Sequence, residues 1–133
     1  MKLRPANLQD TSDYIIILNS LDNVKRKGKE NWYPADIIQQ IYSGNCIAML
    51  GDNNDSLIFY TKQELYTNDN VFWIWIADSK YSNAIEYYID DIKVLAKSFD
   101  CKKIQWSSKR AGYLKKLKKL TADIKLIEYQ IEI

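Results

Sequence analysis

Histidine is absent from this sequence of 133 residues, and its absence removes several kinds of active site at once. Ser-His and Cys-His nucleophile systems need an imidazole base, and most zinc sites use imidazole ligands. Any general base would therefore be a carboxylate, a tyrosine, a lysine or a relayed water. The two cysteines, Cys46 and Cys101, lie far apart and outside any CxxC pair. We interpret both as small buried hydrophobic residues, and we expect no metal site.

Glycine and proline are also scarce, with four glycines and two prolines in the whole chain. Because no Pro/Gly/Ser-rich stretch divides it, the chain is predicted to form a single domain over residues 1–133. No apolar run approaches the ~20 residues that span a bilayer, and the start of the chain is too polar for a signal peptide. The sequence therefore favours a cytoplasmic protein that does not enter a membrane.

Positive charge is concentrated between residues 102 and 119, although the net charge of the chain is only +2. That stretch has eight cations and no acid, while the other 11 cations and 17 carboxylates give −6. Such a run is usually a solvated face, and contact with a polyanion or a partner is the alternative. The candidate contact residues are Lys109, Arg110, Lys115, Lys116, Lys118 and Lys119, and Lys102 and Lys103 complete the stretch.

The periodicity of apolar residues predicts the element order β-α-α-β-β-β-α-β-α-β. Asp10 or Thr11 can cap the first helix, and Pro34 is suited to open the second. The charged segment 25–31 contains Gly28 and is predicted to be a loop. The predicted strands are 3–6, 46–50, 57–60, 71–77, 103–106 and 124–133, and the later helices are 83–99 and 110–120.

The segment 71–77 is apolar at every position, which is typical of a central strand covered on both faces. A helix and another strand follow it, so we expect a right-handed crossover with strands 71–77 and 103–106 as parallel neighbours. The fold class is therefore mixed α/β (α+β), a three-layer domain. Its sheet is predicted to be mostly antiparallel, with one parallel β-α-β crossover.

Two segments resemble a known family. The opening Leu3–Asp10, Leu-Arg-Pro-Ala-Asn-Leu-Gln-Asp, is similar to a first strand with Arg-x-Ala and a helix that opens with Asp. The segment 101–117 is similar to a fifth strand and the helix after it. With the element order of nearly the whole chain, these features resemble the GNAT N-acetyltransferase superfamily. The resemblance implies a GNAT-like fold, and acetyl-CoA as the cofactor of active members.

The resemblance also locates the loop that would hold the cofactor. Family members carry Gln/Arg-x-x-Gly-x-Gly/Ala there, and its backbone N–H groups bind the pyrophosphate at a helix N-terminus. The matching segment 78–85 has no glycine, and none occurs between Gly51 and Gly112. We therefore expect no cofactor, with acetyl-CoA as the alternative. If it binds, the weak candidate residues are Lys80, Ser82, Asn83 and Ala84.

Aromatic residues raise two further questions. The family's last helix carries a tyrosine that protonates the leaving thiolate, and Tyr113, one position from that slot, is a weak catalytic candidate.

Trp73 and Trp75 share one strand face. They could line an acyl pocket or fill the core, and with Trp106 they could plug the cofactor cleft. We expect Trp73, Trp75 or Tyr81 to fill the space between strands 71–77 and 103–106.

The missing glycines and the basic final helix resemble GNAT-like virion proteins of tailed phages. This resemblance implies a catalytically silent binding or structural protein with protein partners, found in the host cytoplasm or in the virion. An acetyl-CoA-dependent N-acetyltransferase with an atypical loop is the second hypothesis. A protein that contacts nucleic acid through the stretch 102–119 is the third, although its aromatic residues are spaced as core residues.

Overall fold

The computed structural model describes residues 1–81, 84–107, 123–125 and 128–133, and it confirms a mixed α/β fold. The strands take the order β1-β2-β3-β4-β5-β7-β6 in a seven-stranded sheet. The helices are α1 (Thr11–Gly28), α2 (Pro34–Tyr42) and α3 (Ala84–Ser98). The strands are β1 (Arg4–Pro5), β2 (Ile47–Leu50), β3 (Ser56–Gln63), β4 (Asn70–Asp78), β5 (Lys103–Ser107), β6 (Asp123–Lys125) and β7 (Glu128–Glu132).

The chain divides into two compact units. The first comprises Met1–Tyr60 with Ile76–Ser82, and the second comprises Thr61–Trp75 with Asn83–Ile133. No helix in the described ranges is long and apolar enough to cross a membrane.

The first unit contains the antiparallel strands β1, β2 and the first half of β3. Helix α1 begins after Asp10, whose carboxylate accepts hydrogen bonds from the N–H groups of Ser12 and Asp13 at 2.8 and 3.2 Å. This is the predicted cap, which satisfies backbone donors that a helix leaves unpaired. Helix α2 contacts α1. The completely buried side chains of this unit include Ile17, Leu21, Ile37, Leu50, Ile58 and Phe59.

The predicted loop over residues 25–31 is wrong in its first half, because α1 continues through Gly28. The Lys25 ammonium donates hydrogen bonds to the backbone carbonyl oxygens of Glu30 at 3.0 Å and Trp32 at 2.7 Å. Basic residues in the last turn also suit the negative end of the helix dipole. The charges that suggested a loop therefore stabilise the end of a helix.

The second unit contains the parallel pair that the sequence predicts. Strand β4 pairs with β5 in a register that runs from Val71 opposite Lys103 to Ile74 opposite Trp106. Four consecutive β4 residues, from Val71 to Ile74, are buried, which confirms a strand covered on both faces. Helix α3 contacts β5, and Tyr88, Ile92 and Ala96 form its buried stripe.

The predicted single strand over 124–133 is wrong, because this segment contains two antiparallel strands. Ile124 of β6 lies opposite Tyr129 of β7, and β7 in turn pairs with β5. An outer strand leaves a row of N–H and C=O groups unpaired, and β6 pairs those groups of β7. The β-branched alternation continues through both strands, so the pattern alone did not reveal the reversal. The predicted helix 110–120 lies outside the described residues.

Candidate functional site

The candidate site is the β4–α3 loop, the segment that joins Asp78 to Ala84, which the sequence resemblance predicts to be the cofactor loop. Of the four candidate residues, Lys80 has an exposed side chain and Ala84 is the half-buried first residue of α3. The other two, Ser82 and Asn83, lie outside the described residues. The described part of the loop is therefore Ser79–Tyr81.

This part of the loop is held by a carboxylate from elsewhere in the first unit. Oδ1 of Asp55 accepts a hydrogen bond from the backbone N–H of Lys80 at 2.9 Å. Its Oδ2 accepts a hydrogen bond from the hydroxyl of Ser79, also at 2.9 Å. Only 3% of Asp55 is exposed, and both hydrogen bonds are partly buried. A buried carboxylate needs such donors to offset the loss of its hydration.

Two further hydrogen bonds complete the attachment. The backbone N–H of Tyr81 donates to Oγ of Ser79 at 3.0 Å. The side-chain amide of Asn53 donates to the hydroxyl oxygen of Tyr81 at 2.9 Å. The backbone N–H groups of Lys80 and Tyr81 thus both donate to acceptors that belong to the chain itself.

The β2–β3 turn, residues 51–55, determines where the Asp55 carboxylate lies. Leu50 of β2 pairs with Ser56 of β3, and the N–H of Gly51 donates to the carbonyl of Asp55 at 2.8 Å between them. Asn53 has a positive φ of 56°, a conformation that asparagine adopts more readily than most residues. Sequence reasoning treated this segment only as a turn, so it missed Asp55 as a residue of the site.

This geometry does not fit a bound pyrophosphate. Phosphate recognition by a loop needs several N–H groups that point together at the anion. Here the N–H of Lys80 already has a carboxylate as its acceptor, and a carboxylate repels another anion at short range. The described part of the loop is therefore closed around the Asp55 carboxylate, which would have to move before the N–H of Lys80 could bind a phosphate.

The tryptophans do not form one plug. Trp73 lies opposite Gln105 in the register, while Trp106 lies opposite Ile74. Because successive residues of a strand point to opposite faces, Trp73 and Trp106 lie on opposite faces of the sheet. The Lys62 ammonium lies 3.9 Å from the Trp73 ring centroid and covers that ring. Trp75 is half-buried. That its side chain helps to fill the space between strands 71–77 and 103–106 stays a prediction.

The first lysines of the basic stretch divide into two kinds. Lys102 is 75% exposed and lies 3.8 Å from Oδ1 of Asp69. Lys103 is only 14% exposed, and its ammonium donates to Oε2 of Glu64 at 2.8 Å. Lys103 therefore belongs to a structural ion pair of the second unit, which corrects its assignment to a solvated basic face.

Glu64 is the centre of a polar cluster in the second unit. Its Oε2 also accepts a hydrogen bond from the hydroxyl of Thr67 at 2.7 Å, and its Oε1 accepts one from the amide of Gln105 at 3.1 Å. The hydrogen bond from Lys103, with these others, lowers the pKa of Glu64 to about 2. The cluster fixes the turn between β3 and β4 to strand β5.

A second ion pair, in the first unit, was also missed from the sequence. The Arg4 guanidinium donates to both carboxylate oxygens of Asp13, at 2.8 and 2.9 Å, and the N–H of Asn7 donates to the same group at 2.9 Å. The hydrogen bond from Arg4 lowers the pKa of Asp13 to about 2. This pair joins β1 to α1, although Arg4 had suggested only a family resemblance.

The remaining candidates are not placed by the structure. Within the described ranges, no three His, Cys, Asp or Glu side chains come together as a metal site would require. The catalytic candidate Tyr113 and the contact candidates Lys109, Arg110, Lys115, Lys116, Lys118 and Lys119 lie outside the described residues.

Comparison with known proteins supports the fold and little beyond it. No family model and no curated protein matches the sequence. A crystal structure of the NatC complex bound to Gag peptide and CoA is similar, with a TM-score of 0.67 and 8% identity over 100% of this chain and 99% of that chain. A Trypanosoma brucei acetyltransferase has a TM-score of 0.61 and 17% identity, with 92% of each chain covered. A GNAT-family acetyltransferase from Listeria monocytogenes has a TM-score of 0.55 and 13% identity, over 98% of this chain and 94% of that chain.

These likenesses extend over nearly the whole chain, so the protein has the fold of the GNAT acetyltransferases. The sequence identities, from 8% to 17%, establish the fold alone.

Proposed function

We propose that this chain is a catalytically silent GNAT-like protein that acts through protein partners, in the manner of the phage virion components it resembles. The observation that supports this proposal is the hydrogen bond from the Lys80 N–H to the buried Asp55 carboxylate. The GNAT-type cofactor loop is expected to offer such a group to a phosphate. In this chain, a negative side chain has taken that position.

The expected loss of cofactor affinity is large. A hydrogen bond to a charged group contributes about 1.5–3 kcal/mol, so two lost contacts weaken binding by several powers of ten. The absence of glycine adds to this effect, because side chains occupy space that the pyrophosphate oxygens need. We therefore expect this chain to lack the main loop contacts with the pyrophosphate of acetyl-CoA, although it has an acetyltransferase fold.

Titration with acetyl-CoA by calorimetry at low ionic strength tests the proposal. We expect no saturable heat below millimolar concentrations. Lys80→Ala is the matched control, since it removes an exposed cation from the loop but keeps the backbone N–H that bonds to Asp55. A micromolar isotherm for the unmodified chain that weakens in Lys80→Ala would refute the silent assignment.

The alternative function is an acetyl-CoA-dependent N-acetyltransferase with an atypical loop. It is favoured by the likeness to a crystal structure of the NatC complex, in which that complex is bound to Gag peptide and CoA. The exposed Lys80 side chain would then be available to a cofactor phosphate. The same titration decides between the two functions, because an enzyme of this kind must bind acetyl-CoA before it can transfer the acetyl group.

Contact with nucleic acid through residues 102–119 has less support from the described residues. Lys103 is mostly buried and paired with Glu64, which leaves Lys102 as the exposed cation of the described part of the stretch. If a polyanion does bind, affinity should fall steeply with salt, because each neutralised phosphate releases condensed counterions. Binding to a DNA oligonucleotide at two salt concentrations measures this effect.

A further inference from the structure

Two consecutive apolar side chains extend into solvent from the turn between β3 and β4, residues 64–69. Leu65 is 82% exposed and Tyr66 is 93% exposed. We infer that these two residues, together with the adjoining Asp100 and Lys102, form a contact surface between two copies of this chain. We call this set of four residues the turn surface. The inference goes beyond the proposed function, since it does not depend on whether acetyl-CoA binds.

The apolar side chains carry the first part of the argument. Single exposed apolar residues are normal on a protein surface, whereas adjacent large ones typically mark a contact site. Tyrosine is among the residues that contribute most to binding at interfaces, because its ring is large and its hydroxyl tolerates water. Leu65 and Tyr66 thus form the centre of the turn surface.

The turn holds these side chains outward through its own hydrogen bonds. The N–H of Glu64 donates to the carbonyl of Asp69 at 2.9 Å, and the N–H of Asn68 donates to the carbonyl of Glu64 at 3.1 Å. The carboxylate of Glu64 also joins the turn to β5. The two apolar side chains are therefore presented on a fixed backbone, which lowers the entropy lost when a partner binds.

The charges beside the turn favour a second copy of the chain as the partner. The N–H of Lys102 donates to the carbonyl of Asn70 at 2.9 Å, and the amide of Asn70 donates to the carbonyl of Asp100 at 3.3 Å, so the segment 100–102 lies beside the turn. Asp100 is exposed. Lys102 is 75% exposed although Asp69 lies 3.8 Å away, so its ammonium is open to a further partner.

A surface that carries an exposed cation and an exposed carboxylate beside apolar side chains is complementary to itself. A two-fold axis can bring the cation of one copy to the carboxylate of the other while the apolar side chains meet. A polyanion does not match this surface, because the carboxylate of Asp100 would repel it. The contact is small, and small contacts are typical of weak, reversible complexes, so we expect a dimer that dissociates on dilution.

Sedimentation equilibrium of the full chain, over about 10 μM to 1 mM, tests the inference. The mass should rise with concentration from the 15.6 kDa of one chain towards twice that value. Leu65→Ser and Tyr66→Ser should each raise the dissociation constant at least about tenfold. The matched control is Tyr42→Ser, which replaces a tyrosine that is 60% exposed in the first unit and should leave the dissociation constant unchanged.

A charge-reversal experiment tests whether the two copies meet through the same surface. Lys102→Glu makes both charges of the turn surface negative, and Asp100→Lys makes both positive. Asp100 has a φ of 58°, and Lys29, with a φ of 49°, shows that lysine is accepted in this conformation. Each variant alone should dimerise less than the unmodified chain because like charges face each other, and an equal mixture of the two should regain the dimer.

The inference is overturned if the mass stays at 15.6 kDa up to about 1 mM, which would leave the turn surface to a different protein or to water. It is also overturned if Leu65→Ser and Tyr66→Ser dimerise as readily as the unmodified chain, or if the mixture of charge variants associates no more than its components. Circular dichroism establishes that each variant is folded, and if one serine variant does not fold, the other decides.

Discussion

Two loops adjoin strand β4 in the chain, and each is organised by one carboxylate in a different way. The turn before β4 is held by Glu64, which accepts hydrogen bonds from the ammonium of Lys103 and from two uncharged side chains. The loop after β4 is held by Asp55, whose recorded donors are the Ser79 hydroxyl and the Lys80 N–H. Of the donors described, one at Glu64 is a cation, whereas the two at Asp55 are uncharged.

That difference bears on what each carboxylate contributes to the fold. Glu64 and Lys103 form an ion pair, so the chain itself already supplies the anion that the Lys103 ammonium needs. The two carboxylates therefore contribute differently, according to the donors described for each.

The largest effect that we expect is from Glu64→Ala, which should lower the free energy of unfolding by about 3 kcal/mol. The substitution removes the carboxylate to which Lys103 and Gln105 donate, and both of these residues are largely buried. Urea denaturation measures the change. Asp22→Ala is the surface control and should stay within about 0.5 kcal/mol of the unmodified chain. Equal losses in the two variants would contradict a structural role for the cluster.

Acid should weaken the turn before β4 by a somewhat smaller amount. The pKa of Glu64 falls from 4.5 to about 2 on folding, so its contribution is complete above pH 4.5 and is lost as the pH falls towards 2. We expect the unmodified chain to lose about 2 kcal/mol more than Glu64→Gln over this range, less than the full shift implies because part of the group is solvated.

Urea midpoints measured at several pH values test this difference. Asp13, whose pKa falls from 3.8 to about 2, is present in both proteins and contributes the same acid loss to each. Parallel pH profiles for the unmodified chain and Glu64→Gln would show that the ion pair with Lys103 adds no stability.

A substitution in the loop after β4 should lower the free energy of unfolding by less than Glu64→Ala does. Asp55→Ala should lower the free energy of unfolding by about 1.5 kcal/mol, because the loss of two hydrogen bonds to the carboxylate is partly offset by removing the cost of burying its charge. The amide of Lys80 should also exchange its hydrogen faster, since it loses its acceptor. Hydrogen exchange followed by NMR measures this rate. We expect the rate in Asp55→Asn to lie between those of the unmodified chain and Asp55→Ala. Unchanged exchange at Lys80 in Asp55→Ala would mean that the hydrogen bond does not control the loop.

The smallest effect should come from Tyr81→Phe, within about 0.5 kcal/mol of the unmodified chain. The lost hydroxyl accepts a hydrogen bond from Asn53 at an exposed position, where water can replace it. Thermal unfolding measures this, and Ser79→Ala is the comparison, because it removes a more buried hydroxyl of the same loop. A larger loss from Tyr81→Phe than from Ser79→Ala would show that the outer contact holds the loop.

Much of the fold could be predicted because its signals are local. Asp10 was a predicted cap, and the helix begins directly after it. The apolar run around Val71–Ile74 indicated a covered central strand, and the helix that follows implied the parallel pairing with β5. A cap acts within a few residues and a strand pattern within one element, so neither depends on the rest of the chain.

The errors also have local causes. The segment beyond Lys25 looked like a loop because its charges suggested solvent, and the carbonyls that Lys25 reaches were not visible in the pattern. The last predicted strand divided into β6 and β7 because alternating β-branched residues fit one long strand as well as two short ones.

By itself, the sequence determined the absence of imidazole chemistry, the missing glycines of the β4–α3 loop and the order of the elements through β5. Only the tertiary structure decided that Asp55 serves that loop and that Glu64 pairs with Lys103. Their partners lie 24 to 41 residues away in the chain. The physical reason is that a carboxylate in a turn has the same local pattern whether it faces water, a cation or a backbone N–H, and only the folded chain selects among them.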